Sequence, residues 1–379
     1  MKAKKIIAPI LLLLVISVLS AIGYLSWTAR QVAQQIITVS GLIGSEKKDF
    51  FDDPEVQRIL ADDYQLKVEY ESVGSRRIAT VGGAKGAVNK YDFAFPAGTP
   101  AAEKISRDYH PTASYRIFFT PMAVASWRPV VDVLQKNGIV QKRTANATNA
   151  GYYGILDMNA LLNLMYTQTR WKDLPNNQSF DIGRQVLIKS TNITSSNSAA
   201  MYLSLASYLA NQDQVVANST QAAQVLPSML PLFSNQGFLA GSSATPFEDY
   251  LIKGMGNSPL VMIYESQYLY QASLNDGSIR NEMILLYPEP TIFTQHTLLA
   301  MNEAGEKLGA ALNDDPQLQK LAIAHGYRSN NTALTSAFEQ NLTQHNIEYI
   351  PTTLTEVIET PSYDLLELMI SKLESQLNQ

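Results

Sequence analysis

Short apolar runs alternate along this chain with longer stretches of helical periodicity, and that alternation restricts the fold more than any other feature. The first run, residues 36–39, is Ile-Ile-Thr-Val and opens into Gly44-Ser45-Glu46. Asp53-Pro54-Glu55 then predicts a helix start, with an acid at the N-cap, proline in the first turn and a second acid. Val56, Ile59 and Leu60 supply its apolar face. Leu66, Val68 and Tyr70 alternate with Lys67, Glu69 and Glu71, the pattern of a half-buried strand. Residues 91–95 read as a third strand, stopped by Pro96. Further extended runs are expected at 115–125, 185–189, 260–264, 283–287 and 295–301. Helices are expected at 128–137, 199–210, 247–254, 303–312, 316–325 and 364–377, and around Leu161, Leu162, Leu164 and Met165. Residues 146–151 look like a polar loop, and residues 227–241, broken by Pro and Gly, like short helices. Strands separated by helices predict a mostly parallel sheet with helices on both faces. The strands are too many for one small sheet. The expected fold class is therefore α/β, with two α/β lobes and the chain crossing between them near Thr120 and near 291–298.

Residues 6–27 are nearly free of polar groups and follow Lys2, Lys4 and Lys5. Such a segment is long enough to span a bilayer as a helix, with a cytoplasmic N-terminus. It reads as a signal peptide, with Ser17, Ser20 and Ala21 as candidate small residues at a cut, or as a retained N-terminal membrane anchor, which Tyr24 and Trp27 favour. Either reading puts the bulk of the chain in the periplasm or at the cell exterior. Lys2, Lys4, Lys5 and Arg30 supply four positive charges, so the remainder carries −9 where the whole carries −5. That acidic balance argues against nucleic acid as a partner, because a phosphate backbone needs a basic patch. The chain has no cysteine, which excludes disulfides, thiolate metal sites and a cysteine nucleophile. His110, His296, His325 and His345 are isolated and read as surface or satisfied core histidines, so neither a metal nor a cofactor is expected. No Gly-x-Ser-x-Gly elbow, phosphate-binding loop or dinucleotide fingerprint is present.

Several polar turns fall in a suggestive order. Gly44-Ser45-Glu46-Lys47 follows the first strand, Gly74-Ser75 follows the second, and Ser195-Ser196-Asn197-Ser198 opens a helix mid-chain. Tyr264-Glu265-Ser266 ends a later strand. Leu286-Tyr287-Pro288 leads into 291–296, and Gly326-Tyr327-Arg328 closes a helix. In this order the turns resemble those of type II periplasmic solute-binding proteins, in particular a group often associated with von Willebrand factor A domains. The likeness covers roughly 36–328. The Gly-rich loop 81–90 and the tail after Asn330 depart from it, and no von Willebrand domain is present. The resemblance implies a periplasmic-binding-protein type II-like fold, two lobes joined by crossover strands with a ligand held between them. Lobe 1 would be 36–120 plus 291–349, lobe 2 would be 121–290, and 350–379 would form a C-terminal helical tail.

The candidate ligand-binding residues are those at the turns. Ser45 and Glu46 offer a hydroxyl, loop N–H groups and a carboxylate, although Ser and Gly also serve ordinary turns. Ser75 and Arg76 follow the second strand, and Arg donates in a planar fork to oxyanions, or simply balances an acidic surface. Asp92 is placed to accept from a ligand hydroxyl or amine, or to pair within the protein. Ser196 and Asn197 stand at a helix start, where capping is the plainer role. Tyr264 is suited to stack or donate, Glu265 to accept from Arg or from a ligand donor, and Tyr287 reads like Tyr264. No catalytic residue is assigned.

Three functions compete. The first is a non-enzymatic solute-binding protein that closes over a small polar molecule or oxyanion and presents it to a membrane permease or signalling complex. The second is a structural or assembly module of the same fold that binds a protein partner. The third is an extracytoplasmic hydrolase using Asp92 and Glu265 as paired carboxylates. A deep cleft with Ser45, Ser75 and Ser196 converging favours ligand binding, and a filled one favours assembly.

Overall fold

A computed structural model describes residues 36–81, 90–146, 149–178, 180, 182–237, 239–347 and 350–378, with Ser17, Val18, Ser20 and Ile22. Most of the expected membrane segment 6–27 and most of the Gly-rich loop 81–90 therefore lie outside the described residues. Among the described residues no helix is long and apolar enough to cross a membrane.

The fold is α/β, with two lobes joined by crossover strands. β1 (Ile37–Ile43) pairs in parallel with β2 (Leu66–Ser72) and with β3 (Phe93–Phe95). Between β1 and β2 the chain turns where the sequence says it should. Asp53 accepts from the Glu55 N–H at 2.8 Å and starts the helix Pro54–Asp62, which buries Val56, Ile59 and Leu60. β4 (Ala113–Trp127) is long enough to serve both lobes. It pairs antiparallel with β7 (Val261–Tyr264), β8 (Met283–Glu289), β9 (Thr291–Ala300) and β10 (Arg328–Ser329). The hairpin of β5 (Val140–Asn146) and β6 (Asn149–Asp157) extends the second lobe through a parallel β6–β8 pair. β11 (Val357–Ile358) lies parallel to β9.

Among the described residues two large apolar cores result, with a smaller cluster around Leu42, Ile78, Ile105 and Leu299. Phe50, Phe51, Phe93, Phe95, Ile117, Phe118 and Leu298 belong to one, and Met122, Val124, Trp127, Tyr264 and Ile292 to the other. β4 and β9 contribute to both, and the change of core falls at the Thr120–Thr294 and Pro121–Phe293 pairs. The expected mostly parallel sheet is thus mixed. A chain that leaves a lobe on one strand and returns on its neighbour makes those two strands antiparallel.

Local differences have local causes. Residues 146 and 149–151, expected as loop, lie in the β5–β6 hairpin. Residues 185–189 form only isolated bridges, Gln185 to Arg170 and Lys189 to Val261. Pro227 and Pro231 sit inside one helix, Ser219–Ser234. Each interior proline costs about 3 kcal/mol. Burying Val225, Leu226, Met229, Leu232 and Phe233 returns about 1.5–3 kcal/mol apiece.

The C-terminal helix Tyr363–Leu377 is no loose appendage. Leu366, Met369, Ile370 and Leu373 enter the second core, while Asp364 pairs with Arg107 at 2.7 Å on the first lobe. A second tie crosses the same boundary. The wholly buried Glu265 carboxylate accepts from Arg328 Nε at 2.6 Å and Nη2 at 2.7 Å, and from the Tyr287 hydroxyl at 2.6 Å. Arg328 also donates to the carbonyls of Pro351 at 2.6 Å and Thr352 at 2.9 Å. Removing one partner strands a buried charge. Arg328→Leu is expected to lose about 3–5 kcal/mol in urea denaturation, and adding Glu265→Leu to recover most of it.

Candidate functional site

The site begins with the turn after β1. Ser45–Lys47 form a single 3-10 turn and Lys48–Asp52 a short helix. Lys47, Phe50 and Phe51 fall at helical spacing on one face, and that face is buried. Lys47 goes in with its aromatic neighbours and is 0% exposed. Its ammonium pairs with the Glu46 carboxylate, lies 3.0 Å from His296 Nδ1 and stands 4.9 Å from the centre of the Phe95 ring. Burial pushes the Lys47 pKa down, and Glu46 opposes that shift.

His296 comes from β9 and bridges Ala97 after β3. Burial, then the Lys47 charge, holds its pKa well below the ordinary value, so the imidazole is neutral. Lys47 can only donate, so Nδ1 accepts and the ring proton sits on Nε2. That Nε2–H is buried without a partner among the described residues. Buried unpaired donors are rare and costly, which marks this one as a place for an acceptor.

The second lobe closes over this group. The Tyr264 hydroxyl at the end of β7 accepts from Asn197 Nδ2 at 3.0 Å. Burial and then Glu46 raise the Tyr264 pKa, so its hydroxyl stays protonated and retains a proton to donate. Tyr264 and Tyr327 flank His296, with ring centres 6.3 and 5.3 Å away. Tyr327 donates its hydroxyl to the Glu46 carbonyl at 2.6 Å. Ser75 is buried and accepts from the Ala97 N–H at 2.7 Å.

The lobes are in contact. Ser45 Oγ meets Ser242 Oγ at 3.1 Å, and Arg76 donates to the carbonyls of Ile193 at 2.9 Å and Thr194. Arg76 also grips Glu367 of the C-terminal helix at 2.7 and 2.5 Å, so one guanidinium latches three segments. Gly74 and Gly98 permit the approach. A Cβ on Gly74 would lie 2.2 Å from the Ser195 carbonyl oxygen, and one on Gly98, at φ +89°, would lie 2.6 Å from Asn197 Oδ1. Beside the closed group remains a cavity of about 160 Å³, edged by Ser45, Glu46, Asp49, Glu248, Tyr270 and His325. No Lys or Arg is among its described lining residues, and of its carboxylates Glu46 pairs with the buried Lys47.

Of the sequence-derived candidates, Ser45, Glu46, Ser75, Asn197 and Tyr264 come together here. Ser196 lies alongside in a buried hydroxyl chain with Ser198 at 3.0 Å, which continues to Thr191 at 2.8 Å. Arg76 serves as the latch. Asp92 sits elsewhere, accepting from the Ser40 N–H and from Asn302 Nδ2, both at 2.7 Å, where it ties β1 to β3 and to the helix Glu303–Asp314. Glu265 and Tyr287 belong to the Arg328 cluster. Lys47 and His296 were missed as site residues. For Lys47 a signal existed in its spacing to Phe50 and Phe51, whereas nothing in the sequence pairs it with His296. No group of three His, Cys, Asp or Glu residues able to hold a metal occurs among the described residues.

No protein-family profile and no curated protein matches the sequence. Solved structures do match. Iron-bound HitA from Pseudomonas aeruginosa aligns at TM-score 0.56 and 11% identity, covering 90% of this chain and 100% of that one. The periplasmic binding protein AfuA from Actinobacillus pleuropneumoniae, with fructose-6-phosphate bound, aligns at 0.55 and 13%, covering 90% and 98%. The sulfate-binding protein SubI from Mycobacterium tuberculosis H37Rv aligns at 0.51 and 13%, covering 87% and 96%. At such identities the likeness establishes the shared periplasmic-binding-protein type II fold.

The neutral His296 has a measurable consequence. The unfolded chain takes up its proton near pH 6.5 while the folded one resists. Its contribution to stability is therefore present above that value and lost as pH falls below it, by up to about 1.4 kcal/mol per pH unit. Urea unfolding between pH 7.5 and 5 is expected to show this slope, and His296→Gln to reduce it. An unchanged slope would contradict the assignment.

Proposed function

We propose that this chain is a non-enzymatic, extracytoplasmic solute-binding protein that closes two lobes over a small polar ligand, with an oxyanion as the preferred class. The observation that carries the reading is the buried donor set at the lobe boundary. A fully buried Lys47 ammonium and an unpartnered His296 Nε2–H stand where loops of both lobes meet, and such groups call for a concentrated acceptor. The fold supports it, since the solved structures sharing it include binding proteins for sulfate and for a sugar phosphate. In this reading lobe 1 is 36–120 plus 291–349 and lobe 2 is 121–290, hinging where β4 and β9 pass between the cores. Residues 6–27 supply export or anchoring, and the closed form is what a membrane permease or signalling complex recognises.

One observation favours the assembly reading. Apart from the cavity beside Glu46, the boundary is occupied by the chain's own side chains, as a rigid body docking a protein would be. The hydrolase reading has no such support, because Asp92 and Glu265 are held in separate hydrogen-bond networks.

Intrinsic-fluorescence melts of the full chain in mild detergent discriminate between the two readings. Sulfate, phosphate, molybdate, amino acids and sugars are screened, and an oxyanion at a hundredfold excess over its Kd is expected to stabilise by about 2.7 kcal/mol. No response across the set overturns the ligand reading in favour of assembly. Gly74→Ala, whose added methyl would lie 2.2 Å from the Ser195 backbone carbonyl oxygen, is expected to hold the lobes apart. It should raise the radius of gyration in small-angle scattering and abolish the ligand response.

A further inference from the structure

The ion pair at the centre of the site is built from neighbours in sequence, Glu46 and Lys47, and its geometry is unusual. The Glu46 carboxylate folds back over its own turn. A Cβ on Gly44 would lie 2.2 Å from Glu46 Oε1 and 2.6 Å from Oε2, so this placement depends on glycine at position 44. The backbone of the turn is fixed separately, because Tyr327 holds the Glu46 carbonyl at 2.6 Å. The carboxylate can therefore leave by side-chain rotation without moving the turn. It has somewhere to go, since Glu46 edges the cavity of about 160 Å³. Asp49 and Glu248 on that cavity repel a carboxylate and bias Glu46 inward. The pair is also incomplete. His296 Nδ1 faces Lys47 at 3.0 Å and lies 3.6 Å from Glu46 Oε1, but its Nε2–H is left without an acceptor.

We propose that Glu46 is the internal counter-ion of the site, its carboxylate holding the position that a ligand oxyanion takes, so that binding is an exchange of one anion for another at Lys47. This rests on the solute-binding reading and deepens it. The exchange keeps Lys47 compensated in both states, which allows the lobes to stay closed without ligand. It also sets a threshold. An incoming anion has to outcompete a carboxylate already in place, which favours a tetrahedral oxyanion with more acceptor oxygens and more charge over a monocarboxylate.

The test compares melts of the full-length wild type, Glu46→Gln, Gly44→Ala and Glu46→Gln/Lys47→Met. Each is titrated with sulfate, phosphate and molybdate against chloride at matched ionic strength. In chloride, Glu46→Gln is expected to melt below the wild type, because Lys47 has lost its partner, and to recover as oxyanion is added. Half-saturation should come at a concentration at least tenfold lower than for the wild type. Gly44→Ala displaces the carboxylate without changing charge and should show the same sensitisation, which keeps the test open if Glu46→Gln fails to fold. The double variant should melt independently of oxyanion. If the wild type responds and neither single variant is more sensitive, the counter-ion role is overturned and solute binding stands. If no variant responds to any of the three anions, the counter-ion role and the oxyanion preference both fall, while solute binding is decided by the wider screen of amino acids and sugars.

Discussion

The antiparallel pairing of β4 with β9 is the constraint on which the rest of the molecule depends. These two strands run through both apolar cores, and each changes core at the same place along the pair. Everything on the first lobe is assembled on one end of that ladder, and everything on the second lobe on the other. Because these two crossings are strands in one ladder, any movement of the lobes has to twist or bend it. Their contact surface is therefore defined before any ligand enters. The Arg328–Glu265 pair sits next to the crossing and joins β10, the end of β7 and the segment after residue 350. Its bidentate, fully buried geometry makes it a fastening of orientation more than a source of net stability.

Against that frame the polar content of the lobe boundary is informative. Protein interiors tolerate a buried ammonium only when it is paired, and here the pairing comes from the adjacent residue and a histidine on the crossing strand. The group is surrounded by tyrosines whose hydroxyls burial keeps protonated, and by a serine and an asparagine already spent on neighbours. Within this group the His296 Nε2–H is left over among the described residues. A purely structural cluster would be expected to close its own account of donors and acceptors. The C-terminal helix and the Arg76 latch add a second restraint on opening, since both bind the two lobes at once.

Much of the fold was legible in the sequence. Asp53-Pro54 announced its helix because a cap is a local interaction, satisfied within two residues. The alternation of Leu66, Val68 and Tyr70 with charged residues announced β2. The mixed character of the sheet was not legible, because strand direction is set by connection and return, which periodicity does not record. Residues 227–241 read as short helices because prolines at 227 and 231 argue locally against a continuous one, whereas 227–234 complete the helix Ser219–Ser234. Its apolar face gains more from the helices packed on it than those prolines cost. The site was half legible. Turns with Ser45, Ser75 and Asn197 stood out by composition and order, while Asp92, Glu265 and Tyr287 looked equivalent to them and turned out to serve other networks.

By itself the sequence determined the capped helix Pro54–Asp62 and the alternating strand β2, the acidic balance of the chain after its N-terminal segment, and the turns that end the first strands. Each of these is a matter of local propensity or of counting charges. Only the tertiary structure decided that Lys47 is buried against a histidine 249 positions away, that Arg76 faces the opposite lobe, and that the boundary between the lobes is shut. The physical reason is that burial and pairing belong to contacts between distant segments. Which carboxylate meets which cation depends on how the two lobes come together, and the local chemistry of a turn is the same whether it faces a ligand, a neighbour or water.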